Sequence, residues 1–421
     1  MSIGSVARGV RLRSLSDGDW RRRLSGVRRL AYGAVAAVAL AAVPSPALAS
    51  PLDDPSTDSF YTQSSPLLPA LPHGTLLRSR PFTPLASPGT PLNARGWQIV
   101  YTSTDAHGRP IAVSGTVLVS NAAHTGPRPL IAWAAGTQGI NDNCAPSHQY
   151  ATGTEYEATY VQNVLARGWA LTMTDYQGLG TPGDHTYLVG AAEGNAVLDS
   201  VRAARQLSGA GIGLATPVGI TGYSQGGQAG GFAAEQQKKY APEIRLKGVA
   251  VGGVAVDTLA MLNNVDGGLY SFLTPYALTG LNAAYPSLKL DSLLTPTGQT
   301  AVADARSKCL FDMFPAHAFE QSSSFTTGTP ILQRPAVQAL FNKSKVGLGV
   351  PAVPALIYHG VNDDVIPFTQ AQQLHTSWCA KGGSVELKAN ATDHLTGLLI
   401  APAMDWMAAR FSGSPAPSGC P

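Results

Sequence analysis

The fold is decided by the stretch Val218-Gly219-Ile220-Thr221-Gly222-Tyr223-Ser224-Gln225-Gly226-Gly227. An apolar run that is typical of a buried strand leads into Ser224, and a helical pattern follows it. A serine between a strand and a helix, with glycine two positions away on each side, is typical of a nucleophile elbow, where the backbone reverses and the hydroxyl projects. The helix N-terminus then lies near developing negative charge, and the backbone N–H of Gln225 can donate to it. We therefore predict that Ser224 is a catalytic nucleophile.

Outward from this stretch, short apolar runs alternate with helical patterns, which is typical of buried parallel strands with crossover helices. Strands are predicted at residues 129–135, 169–175, 218–223, 248–256, 355–358 and 385–389. Helices are predicted at residues 154–167, 191–207, 226–240, 368–379 and 397–411. An antiparallel hairpin over residues 97–119 turns at Asp105-Ala106-His107-Gly108. We expect an α/β-hydrolase fold, that is, a mostly parallel central sheet with helices on both faces and a mainly helical cap insertion.

A serine hydroxyl needs a histidine to accept its proton and a carboxylate to orient that histidine. In this fold the acid and then the histidine follow the serine along the chain. Asp363 follows the predicted strand 355–358, and we favour it as the acid, with Asp364 as the alternative. A helix cap or a solvated turn is the other use of Asp here. His394 follows the last predicted strand, where catalytic residues gather, whereas His375 lies within a predicted helix. We therefore predict His394 as the general base.

A second donor to the oxyanion is expected from the loop after the strand 129–135. The backbone N–H groups of Gly136 and Thr137 are the candidates in this loop. We favour Thr137, which would act together with Gln225. A glycine-rich turn that serves only the backbone geometry is the alternative.

Residues 258–350 interrupt the alternation because they contain no clean buried strand, only helix-like and loop-like pieces. Long insertions of this kind are usually functional. We predict a cap over the site, inserted between two parts of the core, residues 93–257 and 351–421. A subdomain without a functional role is the alternative.

The first 49 residues have the pattern of an export signal. Several arginines lead into the apolar run 30–43, and Ala47-Leu48-Ala49 has the small-residue cleavage pattern. We predict cleavage after Ala49 and a secreted, extracellular protein. The apolar run is shorter than the about 20 residues of a membrane-spanning helix, and an uncleaved anchor is the alternative. Residues 50–92, rich in Pro, Ser and Thr, are predicted as an extended N-terminal segment on the domain surface.

Composition and charge exclude two classes of protein. Hydrophobic residues make up 44% of the chain and charged residues 13%, which argues against intrinsic disorder. The predicted signal carries eight Arg and two Asp, so the formal charge of +3 becomes −3 without it. A basic surface for nucleic acid is therefore not expected. We also predict no protein partner, no metal and no organic cofactor.

The chain contains four cysteines, Cys144, Cys309, Cys379 and Cys420. An even number in an exported chain predicts two disulfides, in any of three pairings. Their spacing lacks the close Cys/His pairs of a zinc site. Free buried thiols are the alternative.

Several further stretches carry a family resemblance: Gly74-Thr75-Leu76-Leu77-Arg78-Ser79-Arg80, Gly136-Thr137-Gln138-Gly139, Cys144-Ala145-Pro146-Ser147, Thr174-Asp175-Tyr176-Gln177-Gly178-Leu179-Gly180, the Ser224 elbow and the Asp363 loop. Together they resemble the secretory lipase family, the lipase A type of secreted triacylglycerol lipase, over nearly all of the chain after residue 49. The resemblance implies an α/β-hydrolase fold with a helical cap, a triad of Ser224, Asp363 and His394, and hydrolysis of acylglycerols or simpler esters. It also implies disulfides that pair Cys144 with Cys309 and Cys379 with Cys420. Related chains often carry a histidine where this chain has Ala135, and we assign Asp175 and Tyr176 a structural role.

We therefore expect a secreted serine hydrolase that cleaves carboxylic esters through an acyl-enzyme on Ser224. Its expected substrate is an acylglycerol or another ester, met at a lipid–water interface. A short-chain carboxylesterase or a cell-envelope acyltransferase would use the same triad, and a secreted peptidase could use the same fold. A peptidase would need an ammonium-binding pocket, for which the insertion shows no compelling acidic cluster. A non-catalytic binding protein would lack a member of the triad, and all three candidates are present.

Overall fold

A nine-stranded sheet forms the centre of the molecule in the computed structural model, which describes residues 50–65, 68–417 and 419–421. The strands, numbered in chain order, are β1 (Leu76–Phe82), β2 (Leu85–Ser87), β3 (Thr90–Pro91), β4 (Ala94–Thr104), β5 (Pro110–Ser120), β6 (Leu130–Ala134), β7 (Ala170–Tyr176), β8 (Val218–Tyr223), β9 (Leu246–Gly252), β10 (Ala355–Gly360) and β11 (Val385–Asn390). The spatial order of the main sheet is β1-β4-β5-β7-β6-β8-β9-β10-β11, and β2 pairs with β3 in a separate ribbon.

The sheet is antiparallel at its first edge and parallel over the rest. Strands β1, β4, β5 and β7 pair antiparallel in that order, and β7, β6, β8, β9, β10 and β11 pair parallel. Every residue of β6, β7 and β8 is buried, which explains their unbroken apolar runs in a sheet that is covered on both faces. The predicted fold class is confirmed.

The helices are α1 (Ser59–Thr62), α2 (Pro146–Thr152), α3 (Ala158–Ala166), α4 (Gly190–Gln206), α5 (Gln225–Tyr240), α6 (Thr258–Val265), α7 (Leu273–Ala284), α8 (Pro296–Ser307), α9 (Leu310–Ala316), α10 (Pro335–Lys343), α11 (Phe368–Ala380) and α12 (Ile400–Phe411). Successive residues of β8 show that helices cover both faces of the sheet. Gly219 faces Met407 of α12, and the next residue, Ile220, faces Gly230 of α5. None of the helices within the described residues is long and apolar enough to cross a bilayer.

The N-terminal part of the chain contributes more regular structure than its composition suggests. The predicted hairpin is present as β4 and β5, with its turn at Asp105. Residues 50–92, predicted only as an extended segment, include β1, which pairs with β4 at the sheet edge. The predicted strand 248–256 ends at Gly252 because Gly253 adopts a φ of 49° and turns the chain. The predicted export signal and its cleavage site lie outside the described residues.

Between β9 and β10 the described chain adds no strand to the main sheet and forms the helices α6 to α10. The apolar side chains of these helices form a cluster separate from the core of the sheet. This cluster also includes Tyr187, Val365 and Ile366, which lie in loops after β7 and β10. The helices therefore pack against loops at the carboxyl edge of the sheet. The limits 258–350 of the insertion and its role as a cap stay a prediction.

Candidate active site

Ser224 lies in a strained turn between β8 and α5. Its φ is 60° and its ψ is −120°, a region that residues other than glycine rarely adopt. A Cβ at Gly222 would lie 2.3 Å from the carbonyl oxygen of Gly226, and one at Gly226 would lie 2.1 Å from that of Ala134. The two glycines are therefore required by the close approach of backbone around the serine, as expected of a nucleophile elbow.

The side chains of Ser224, His394 and Asp363 meet in one hydrogen-bonded chain. The Nε2 of His394 is 2.9 Å from the Oγ of Ser224, and its Nδ1 is 2.8 Å from the Oδ2 of Asp363. Because an ionised carboxylate only accepts hydrogen bonds, Nδ1 carries the proton and Nε2 is free to accept one from the serine. The loops after β8, β10 and β11 supply the three residues, since the carboxyl ends of parallel strands share one edge.

Asp363 is held in its ionised form by several donors. Its Oδ1 accepts hydrogen bonds from the backbone N–H groups of Val365, at 3.0 Å, and Ile366, at 2.7 Å. The Nε2 of His359 lies 3.2 Å from its Oδ2. Burial alone would raise the pKa of Asp363, but the contacts from His359, His394 and Ile366 together lower that pKa well below its usual range. The carboxylate can therefore stabilise a protonated His394 at neutral pH.

The two rival residues lie outside this chain of hydrogen bonds. Asp364 is exposed, and its Oδ1 accepts from the backbone N–H of His394 at 3.3 Å. His375 lies on α11, with its Nε2 3.6 Å from the Sγ of Cys379. Tyr223, which the sequence did not single out, donates its hydroxyl to the carbonyl of His394 at 2.7 Å. It thereby links the strand that precedes Ser224 to the loop that carries His394.

Of the two predicted donors in the loop after β6, the backbone N–H of Thr137 is free within the described part of the chain and that of Gly136 is not. The N–H of Gly136 donates to the Oε2 of Glu157 at 3.1 Å, so it is occupied. Within residues 68–417 the N–H groups of Thr137 and Gln225 have no hydrogen-bond partner. Thr137 lines the same cavity as Ser224. Of the two candidates in this loop, the geometry favours Thr137 as the donor to an oxyanion.

The side chain of Gln225 is fixed by buried neighbours that the sequence did not reveal. Its Nε2 donates to the Oε1 of Glu193 at 2.6 Å and to the Nε2 of His185 at 3.0 Å. The Nδ1 of His185 donates to the carbonyl of Gln177 at 3.0 Å, which leaves Nε2 as the acceptor. Burial raises the pKa of Glu193 to about 8 and lowers the pKa of His185 to about 4. Glu193 and Glu157 lie inside predicted helices, and the helical pattern of the sequence does not indicate their hydrogen bonds to Gln225 and Gly136.

A cavity of about 400 Å³ opens beside Ser224 and His394. Aromatic side chains from the insertion form much of its wall: Tyr270, Phe272, Phe311 and Phe314. Phe311 and Leu395 line the cavity and yet are 67% and 66% exposed. The cavity is therefore mainly apolar, and its apolar surface continues outward to solvent.

Both disulfides that the resemblance implies are present. Cys144 is bonded to Cys309 and Cys379 to Cys420, with Cα separations of 5.5 and 5.4 Å. Among the described residues, one group lies close enough to hold a metal ion: His375, Cys379 and Cys420. Its two sulfurs are joined in the second disulfide, so they offer no thiolate ligand.

Known proteins resemble this chain in sequence and in fold. The model of the secretory lipase family matches residues 145–419. Lipase 10 of Candida albicans is 32% identical over 403 residues, which cover 88% of this chain and 84% of that protein. The secreted triacylglycerol lipase LIP5 of Malassezia furfur is 30% identical, with coverage of 72% and 84%.

Two solved structures share the fold at low sequence identity. Candida antarctica lipase A superposes with a TM-score of 0.79 at 22% identity, covering 88% of this chain and 89% of that one. The rice cell wall degrading esterase LipA from Xanthomonas oryzae superposes with a TM-score of 0.67 at 20% identity, covering 80% and 98%. Both likenesses support the α/β fold described above.

Proposed function

The chain belongs to the secretory lipase family, and from this premise we propose that it is a secreted lipase that hydrolyses the ester bonds of acylglycerols. One observation carries the proposal. The hydrogen-bonded chain from Ser224 through His394 to Asp363 opens directly into an apolar cavity. Such a site combines an activated hydroxyl with a pocket that suits a hydrocarbon chain.

In the proposed reaction the Oγ of Ser224 attacks the ester carbonyl while the Nε2 of His394 takes its proton. The carbonyl oxygen becomes an oxyanion, which accepts hydrogen bonds from the N–H groups of Thr137 and Gln225. Collapse of the tetrahedral intermediate breaks the ester C–O bond, and the alcohol leaves with the proton from His394. Water, deprotonated by His394, then attacks the acyl-enzyme and releases the acid and Ser224. Asp363 keeps the histidine in the required tautomer throughout.

A lipid substrate is supported by the surface around the cavity. Phe311 and Leu395 lie at its mouth with most of their area exposed. Leu269 and Phe319, from the same insertion as Phe311, are also exposed, at 39% and 68%. Exposed apolar side chains next to a binding cavity are typical of contact with an apolar partner. Residues 258–350 would act as the cap that carries Phe311, Leu269 and Phe319.

The test measures hydrolysis of p-nitrophenyl butyrate, p-nitrophenyl palmitate and emulsified trioleoylglycerol by the purified protein without residues 1–49. We expect activity on all three substrates, and background activity for Ser224→Ala and His394→Ala. His375→Ala is the matched control for the histidine and is expected to stay active. Activity that collapses beyond the butyrate ester would point to a short-chain carboxylesterase instead. Activity that survives Ser224→Ala would contradict the proposed nucleophile.

A further inference from the structure

Glu157 lies behind the loop that carries Thr137, with its side chain buried inside the protein. The residue is only 1% exposed, although it lines the wall of the catalytic cavity. Its Oε2 accepts two hydrogen bonds, from the backbone N–H of Gly136 at 3.1 Å and from the indole Nε1 of Trp133 at 3.2 Å. The proposed mechanism does not use this carboxyl in any chemical step.

The neighbours of Glu157 hold the same loop at its next two residues. The hydroxyl of Tyr156 donates to the carbonyl of Thr137 at 3.2 Å. The Oε1 of Glu155 accepts from the side-chain amide of Gln138 at 2.7 Å. Glu155 in turn accepts the backbone N–H of Glu157 at 2.7 Å through its Oε2. Residues 155–157 thus hold residues 136–138 of the loop in place through hydrogen bonds.

The peptide that carries the N–H of Thr137 follows Gly136, a residue with unusual backbone freedom. Its orientation is defined only if the peptide groups on both sides are fixed. Glu157 fixes the preceding one through the N–H of Gly136, and Tyr156 fixes the following one through the carbonyl of Thr137. Building on the proposed function, we propose that Glu157 is a positioning residue that aims the Thr137 N–H at the oxyanion.

Burying a carboxyl group at this position costs free energy that burying an apolar group would not, so packing alone does not explain Glu157. Burial raises the pKa of Glu157 to about 7, against the lowering effect of its bonds from Gly136 and Trp133. An apolar side chain would fill the same volume without that desolvation cost. It could not, however, accept the N–H of Gly136. Buried groups with shifted pKa values that line a cavity are typical of functional sites.

The test compares Glu157→Ala, Glu157→Asp and Glu157→Gln in turnover and in binding of butylboronic acid. The boron forms a bond to the Oγ of Ser224 and becomes tetrahedral, so one of its oxygens occupies the oxyanion position. For Glu157→Ala we expect kcat on p-nitrophenyl butyrate to fall about 100-fold, as for loss of an oxyanion donor. The KM should change little, and the boronate inhibition constant should rise by a similar factor.

The two conservative variants separate positioning from charge and packing. Glu157→Asp keeps the charge but is one methylene shorter, so it should lose most of the turnover that the alanine variant loses. Glu157→Gln keeps an oxygen that can accept both N–H groups, so it should lose less than about tenfold. If aspartate retains full turnover while glutamine does not, the charge and not the reach of the side chain matters, and the proposal is wrong.

Glu235 on α5 provides a matched control. It is half-buried, and it accepts hydrogen bonds from the backbone N–H groups of Gly347 at 2.6 Å and Gly349 at 2.8 Å and from the indole Nε1 of Trp378 at 2.6 Å. It lies ten residues after Gln225 on the same helix, about 15 Å along the axis. Glu235→Ala should lower the thermal unfolding temperature but leave kcat and boronate binding unchanged.

Two further outcomes would overturn the proposal. If all Glu157 variants lower only the unfolding temperature, as the Glu235 variant should, Glu157 has a structural role alone. If kcat falls without any change in boronate binding, the residue does not act through the oxyanion site. Failure of the proposed function is a different result, because it would appear in the wild type and in Ser224→Ala.

Discussion

Replacing Asp363 with asparagine should disable the site by reversing the tautomer of His394. The Oδ1 of Asp363 accepts two backbone N–H groups, from Val365 and Ile366. In Asp363→Asn the amide oxygen must occupy the position of Oδ1, because an NH₂ group at that position would face the two backbone N–H donors. The NH₂ group is then directed at the Nδ1 of His394, which becomes an acceptor. Its proton moves to Nε2, where it faces Ser224 and blocks proton transfer.

The expected loss follows from this exchange of donor and acceptor. A wrong histidine tautomer in a serine triad lowers kcat by roughly 10⁴-fold. At about 1.4 kcal/mol for each power of ten, the barrier rises by roughly 5 kcal/mol. The assay is kcat on p-nitrophenyl butyrate, with circular dichroism and thermal unfolding to verify that Asp363→Asn is folded.

Asp364→Asn is the control for this prediction, since Asp364 neighbours Asp363 but interacts with the backbone N–H of His394 and the hydroxyl of Tyr270, not with the imidazole of His394. It should retain most of its activity. The reasoning is refuted if Asp363→Asn keeps more than about a tenth of the wild-type kcat. It is also refuted if Asp364→Asn loses as much as Asp363→Asn, because the acid would then not be distinguished by its geometry.

Three further predictions concern stability. Gly226→Ala should cost about 3 kcal/mol or prevent folding, because its Cβ would lie 2.1 Å from the carbonyl oxygen of Ala134; urea unfolding measures this, and an unchanged midpoint would contradict it. Replacing Cys379 and Cys420 with serine should lower the free energy of unfolding by about 4 kcal/mol, since the disulfide closes a loop of 41 residues. Unfolding of wild type and variant with and without reductant tests this. If reductant destabilises both proteins equally, the prediction is wrong. The pKa of Glu193 is raised to about 8, so between about pH 5 and 8 the folded state keeps a proton that the unfolded state releases, and the free energy of unfolding falls as the pH rises. This fall should be smaller for Glu193→Gln. Identical pH profiles of the free energy of unfolding for wild type and variant would contradict the raised pKa of Glu193.

The sequence was most informative where strands are covered on both faces. Strand β8 has its predicted limits, and β6 and β7 differ from theirs by one residue at each end, because full burial leaves an unbroken apolar run. Strand β1 was not predicted as a strand. It is a partly exposed edge strand that contains Pro81, so it shows neither a continuous nor an alternating pattern.

For the site, the sequence placed three residues after strands that end at one edge of the sheet. Ser224, Asp363 and His394 do meet there, although their catalytic roles stay predictions. The hydrogen bonds of Glu157 and Glu193 could not be predicted from the positions of strand ends. Their partners are backbone and amide N–H groups from segments distant along the chain, and such hydrogen bonds leave no periodic signal in either segment. Helix α3 also starts at Ala158 and not at residue 154, because residues 155–157 are engaged with the loop after β6.

The position of β10 and β11 at the edge of the sheet has a consequence for biosynthesis. A ribosome makes the strand of Ser224 well before it makes His394, which lies 170 residues further along the chain. An incomplete polypeptide that ends before β10 contains Ser224 but neither Asp363 nor His394, the proposed acid and base, so it lacks the groups that would activate the hydroxyl. Because β10 and β11 add to an exposed edge, they can join a sheet whose other strands are already paired. The proposed triad is therefore complete only when the last part of the chain has been made.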